Sequence, residues 1–123
     1  IELLYKNQIF DLHNLYCIES IEMVNFLNEF LITFSPIERY TSKREIVQLK
    51  FHNVSYFNLN VLKTRGQSIE EIGYKPANDF DDEWLLDHKD ASPQDHMHIR
   101  IDYDSYIRIF SESVSVNIFK KGS

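Results

Sequence analysis

The sequence predicts a mainly β fold: a single antiparallel β-rich domain spanning residues 1–123, a sandwich or a curled sheet, with at most one or two short helices. Three observations carry this. Apolar and polar residues alternate at period two over several stretches, the signature of half-buried strands. Nine Phe and seven Tyr supply the aromatic surface that packs on a pleated sheet and that a disordered chain lacks. Only three Gly and three Pro occur, which argues against a linker or a low-complexity tail.

Residues 18–34 fit two patterns. Met23, Phe26, Leu27, Phe30, Leu31 and Phe34 fall at helical spacing. Asn25 and Asn28 interrupt that pattern, and the β-branched and aromatic run Leu31-Ile32-Thr33-Phe34 leads to Pro36. The favoured reading is two strands joined near Asn25–Asn28. Residues 36–44 form a polar connection. A strand follows over Ile46–Val54, with Val47, Leu49 and Phe51 on one face and Gln48, Lys50 and His52 on the other. Gly66 marks a turn within 64–68, and Ile69 and Ile72 open a short strand or turn. Residues 78–88 suit one helical turn with Trp84, Leu85 and Phe80 inward. Met97, Ile99, Ile101 and Tyr103, then Ile107 and Ile109 across Asp104-Ser105, read as a β-hairpin. Val114, Val116 and Ile118 give a further strand.

The charge is unevenly placed. Residues 79–104 hold nine carboxylates (Asp79, Asp81, Asp82, Glu83, Asp87, Asp90, Asp95, Asp102, Asp104) against Lys89 and Arg100, leaving −7 in this window, while the whole chain carries −6. Such a local field gathers cations or a basic protein surface and disfavours nucleic acid. Arg39, Lys43, Arg44 and Lys50, interleaved with Tyr40, Tyr56 and Phe57, look superficially like a nucleic-acid stripe. Glu38 and Glu45 in the same stretch favour an ordinary charged loop, able to pair with the acidic segment.

No apolar run reaches the roughly 20 residues of a membrane span. Residues 1–10 show neither a basic n-region nor a cleavage site, so a cytoplasmic location is expected. The lone Cys17 sits among apolar neighbours and reads as an inert thiol, and a Cys17–His13 dyad would need a helix there. No Gly-x-Ser-x-Gly elbow or phosphate-binding glycine loop occurs, so the expectation is a non-enzymatic protein without a cofactor.

Two candidate sites stand out. His96 and His98 would share one face of a strand, where a pair of imidazoles with nearby carboxylates could ligate a metal. With Met97, Ile99 and Ile101 inward, both would face solvent. Counting from Asp79 as a calcium loop puts Trp84 where the sharp turn needs Gly, so an EF-hand is excluded. The second candidate is the partner surface Asp79, Asp81, Asp82, Glu83, Trp84, Asp87 and Asp90. Trp84 is either a core anchor, favoured by Leu85 and Leu86 beside it, or an exposed interface aromatic with an acidic rim.

The order His13-Asn14, Ile18 and Ile21, a strand ending Thr33-Phe34, then Phe51-His52-Asn53-Val54, Trp84 and a final Ile-x-Ile hairpin resembles a group of small bacterial β-sheet proteins. Some of these are grouped with the immunity proteins of polymorphic toxin systems. The resemblance spans most of the chain and departs from the group's pattern at Asn14, where relatives carry Asp. It implies a β-rich domain that acts by binding a protein, and it carries over no catalytic residue. The expected partner is therefore a protein with a basic surface, a toxin in the immunity reading. The alternative is a metal-binding domain or metal-dependent enzyme built on His96 and His98.

Overall fold

The computed structural model describes residues 2–25, 28–60, 69–80, 84–101 and 105–120. A small hairpin comes first, β1 (Glu2–Tyr5) and β2 (Gln8–Asp11). Its two-residue turn, Lys6-Asn7, has both φ angles positive (50° and 65°), the mirror-type geometry whose twist matches the strands it joins. One helical turn, α1 (Leu12–Leu15), follows, capped by Asp11, whose side chain accepts the Asn14 amide hydrogen at 3.1 Å. Six strands then make one antiparallel, curled sheet: β3 (Tyr16–Val24), β4 (Glu29–Pro36), β5 (Glu45–Asn60), β6 (Glu71–Lys75), β7 (His96–Arg100) and β8 (Tyr106–Lys120), in spatial order β3-β4-β5-β8-β7-β6.

The mainly β prediction holds, as does the division of residues 18–34 into two strands. Asn25 takes a positive φ of 51° at the turn, a conformation that Asn tolerates better than most residues. The Asn28 amide closes back on the Asn25 carbonyl at 3.2 Å. Three expectations change. The 107–109 and 114–118 segments are one strand, β8. Its apolar parity shifts between Ile109 and Val114 because a bulge in β5, between Val54 and Tyr56, adds a residue opposite that stretch. The helical turn expected within 78–88 falls partly on residues 81–83, which lie outside the described residues; the described residues 78–80 and 84–87 hold no helix, and a 3₁₀ turn follows at His88–Asp90. The 1–10 segment, given no element from sequence, forms the β1–β2 hairpin. The Gly66 turn lies outside the described residues.

The long β5–β8 pair is the spine. The first half of β5 pairs with β4 on one side, while the start of β8 pairs with β7 on the other. The sheet therefore has two halves staggered across the bulge. The main core cluster joins Ile18, Phe30, Ile32, Phe34, Val47, Leu49 and Phe51 from the first half to Ile72, Ile99, Ile107 and Ile109 from the second. Phe10 and Leu12 from the hairpin and α1 join this core. Phe30 and Phe57 stack at 4.0 Å between centroids, joining the halves across the bulge. Tyr16 is fully buried and donates to the Glu45 carbonyl at 2.8 Å; burial pushes its phenol up to about 12. Cys17 lies on β3, beyond the end of α1, and donates weakly to the Ser35 carbonyl at 3.6 Å. Among the described residues no helix is long and apolar enough to cross a membrane.

Gly73 in β6 permits a close approach. A Cβ there would lie 2.5 Å from Leu85 Cβ and 2.9 Å from the Leu86 carbonyl oxygen. Leu86 in turn exchanges two backbone hydrogen bonds with Tyr74, at 2.8 and 3.0 Å, and so docks the chain against the sheet edge. Gly73→Ala is expected to destabilise the protein by about 1–3 kcal/mol through overpacking. A denaturant titration reads this as a lower midpoint; an unchanged midpoint would show that residues 84–86 are not held against β6.

Candidate functional site

Alternation along β6, β7 and β8 puts Gly73 and Lys75, then His96 and His98, then Arg108 on the face opposite the main core. Such a polar row normally faces water. Here Lys75 is 1 % exposed, His98 3 %, Arg108 3 % and His96 6 %. The histidines do share a face, but the face is buried, which corrects the expectation that they point to solvent. Residues 76–80 and 84–86 pack over this face, making it a second interior that is polar where the first is apolar.

Arg108 organises the crossing. Its Nη1 donates to the Asp79 carbonyl at 2.6 Å, its Nη2 to the Pro76 carbonyl at 2.9 Å and the Ala77 carbonyl at 3.4 Å, and its Nε to His96 Nδ1 at 2.9 Å. The Phe80 ring covers the guanidinium at 4.5 Å, and Tyr56 lies on its other flank at 5.8 Å. Beside it, Lys75 Nζ pairs with Asp79 Oδ1 at 3.4 Å. His96 packs against Tyr56 (4.6 Å) and Phe110 (5.5 Å), and His98 stacks on Tyr106 (5.0 Å).

This geometry fixes the state of His96. A guanidinium can only donate, so Nδ1 accepts and Nε2 carries the proton. Burial first, and the Arg108 charge second, push the imidazole below its usual value, against the opposing pull of Asp95. The Nδ1 lone pair is thus already used by Arg108, which is the wrong neighbour for a metal cation. Among the described residues no group of three or more His, Cys, Asp or Glu side chains could hold a metal ion.

Of the predicted partner residues, Asp79 is half-buried and tied to Lys75, while Asp87 and Asp90 are exposed around the 3₁₀ turn. Asp81, Asp82 and Glu83 lie outside the described residues. Trp84 is 59 % exposed and Phe80 65 % exposed. This corrects the inward expectation for both; Leu85 alone of the three is buried. Lys75 and Arg108, absent from the acidic window, are two buried cations packed against its start at Asp79. The basic stretch behaves as a charged loop: the Arg39 guanidinium stacks on Tyr40 at 4.9 Å and the Lys43 ammonium on Phe10 at 4.8 Å. A cleft of about 370 Å³ opens beside the segment, lined in part by Phe51, Tyr74, His88, Met97 and Ile109.

A second constellation escaped the sequence reading. On the outer face of the other half of the sheet, His52 Nδ1 meets Glu29 Oε2 at 2.6 Å and His52 Nε2 meets Ser115 Oγ at 2.7 Å. Glu29 also accepts from Asn25 Nδ2, and Lys50 Nζ lies 3.9 Å from its Oε1. The hydrogen bonds from His52 and Asn25, with a lesser contribution from Lys50, hold the Glu29 carboxyl below the usual range. Strand alternation alone places Lys50 and His52 on this face, but grouping them with Glu29 and Ser115 requires the pairing register.

Compared with family models, curated proteins and solved structures, the chain matches none of them.

The lowered proton affinity of His96 gives a signed pH dependence. The unfolded chain protonates this histidine near its ordinary value of 6.5, before the folded chain does. Stability from His96 is therefore complete above that pH and is lost as pH falls below it, toward the depressed folded-state value. His96→Gln keeps an acceptor for Arg108 and removes the titration. The drop in melting temperature between about pH 7.5 and about pH 5.5 should be smaller in this variant than in the parent. Equal drops would show that His96 is not held neutral.

Proposed function

We propose that the chain is a protein-binding domain whose contact surface is the acidic segment Asp79–Asp90, with Trp84 as its anchor. The observation that carries this reading is the exposure of Trp84 and Phe80 on a backbone held from below by Arg108 and from the side by Leu86. Exposing a tryptophan to water is unfavourable unless a partner covers it, and such anchors dominate binding energy at interfaces. A segment already docked loses little conformational freedom on binding, so the anchor's burial goes into affinity. The remaining acidity steers a basic partner and excludes nucleic acid.

The resemblance to bacterial immunity proteins supports a specific class of partner: a toxin whose own substrate site is basic, as a nuclease's is. In this reading the domain works in the cytoplasm, inhibits by occlusion and needs no cofactor.

The test is co-purification with the product of a neighbouring toxin-like gene, followed by variants. Trp84→Ala should raise Kd about 30-fold, the equivalent of about 2 kcal/mol, and leave the melting temperature within about 2 °C. Combined Asp81→Asn, Asp82→Asn, Glu83→Gln and Asp87→Asn should slow association about tenfold and flatten its salt dependence. Parent-like affinity and association rate in both variants would move the binding surface elsewhere.

A further inference from the structure

We propose that Ser115, His52 and Glu29 form a reactive serine centre that accepts an acyl group from activated carboxylic esters. The inference is independent of the binding reading, since the three residues lie on β8, β5 and β4, in the half of the sheet away from the acidic segment.

The argument rests on atom order. Glu29 is a carboxylate and can only accept, so His52 Nδ1 carries the proton that bridges them at 2.6 Å. That leaves Nε2 with its lone pair toward Ser115, whose hydroxyl donates to it at 2.7 Å. Nucleophile, base and positioning carboxylate thus stand in the relay that activates serine on unrelated folds, recognised by geometry and not by position in the chain. Each link comes from a different strand, so the pairing register aligns them. Ser115 is exposed, and an ester can approach Oγ from solvent.

Lys50 completes the chemistry. It is the cross-strand partner of Ser115, its side chain lies on the same face, and its ammonium sits within 3.9 Å of Glu29. This puts a positive charge on the same face as the position where negative charge develops on the ester oxygen. Lys50 takes the part that an amide pair plays elsewhere. Slow turnover follows from this, with acylation of the serine the easier half.

In the first step the Ser115 Oγ–C bond forms and the ester C–O bond to the leaving group breaks. The hydroxyl proton passes to His52 Nε2 and then to the departing alkoxide. In the second step water, deprotonated by the same nitrogen, forms a new O–C bond as the Ser115 Oγ–C bond breaks; the acid leaves, and the proton on Nε2 returns to Ser115 Oγ. Glu29 remains ionised throughout.

The full chain is incubated with a fluorophosphonate probe and, separately, with p-nitrophenyl acetate, and adducts are located by peptide mass spectrometry. A single adduct on Ser115 is expected with each. His52→Gln should slow labelling about 100-fold. Glu29→Gln should also slow it, because an amide donating to Nδ1 turns the imidazole to the wrong tautomer. Ser113→Ala, one pleat away on the same face, should label like the parent. Circular dichroism melts of each variant separate loss of reactivity from loss of fold. Absence of a Ser115 adduct on the folded parent, or parent-like labelling in folded His52→Gln, would overturn the proposal.

Discussion

A guanidinium with 3 % exposure is the constraint around which half of this structure is arranged. Removing a cation from water costs several kcal/mol unless its donors are satisfied and its charge is balanced. Arg108 meets both conditions through a segment of chain that has no regular secondary structure. Three backbone carbonyls, one imidazole nitrogen and two aromatic faces surround it. The same contacts give the carbonyls of residues 76–79 the partners that an irregular loop otherwise finds only in water. Guanidinium and loop each remove the other's penalty, and the acidity of the loop is part of that balance.

The consequences run outward from β8. Its alternation places Ile107 and Ile109 in the apolar core and Arg108 between them on the opposite face, so one strand supports two interiors of different chemistry. Gly73 supplies the clearance that lets Leu85 sit over β6, and the Tyr74–Leu86 bridge covers backbone groups at an edge that would otherwise invite pairing with another chain. With its route fixed at 76–80 and again at 85–86, the segment presents Phe80 and Trp84 outward. The exposure of these rings is thus tied to the anchorage beneath them.

Strand alternation made the β class, the hairpin over residues 18–34 and the shared face of His96 and His98 readable from the chain alone. It failed where the deciding residues lie far along the chain. A polar row reads as solvated unless one knows that residues 76–80 and 84–86 pack over it, and that packing depends on Arg108, ten residues beyond His98. Trp84 was weighed toward the core because Leu85 and Leu86 adjoin it; Leu85 in fact takes the buried position over Gly73, which leaves Trp84 outside. The parity change in β8 looked like a strand boundary because the compensating bulge lies in β5, some sixty residues earlier in the chain. The grouping of Glu29, His52 and Ser115 was invisible for the same reason, since it exists only in the register between strands.

The dependence of the segment on Arg108 is measured most directly by native-state hydrogen exchange on Arg108→Lys, which keeps the charge and removes the planar fork. The Asp79 and Leu86 amides, bonded to the Pro76 and Tyr74 carbonyls, should exchange about tenfold or more faster than in the parent. Amides of Ile32, Val47 and Leu49 in the β4–β5 half should keep their protection. Parent-like exchange at Asp79 and Leu86, or an equal loss of protection throughout the sheet, would contradict the account.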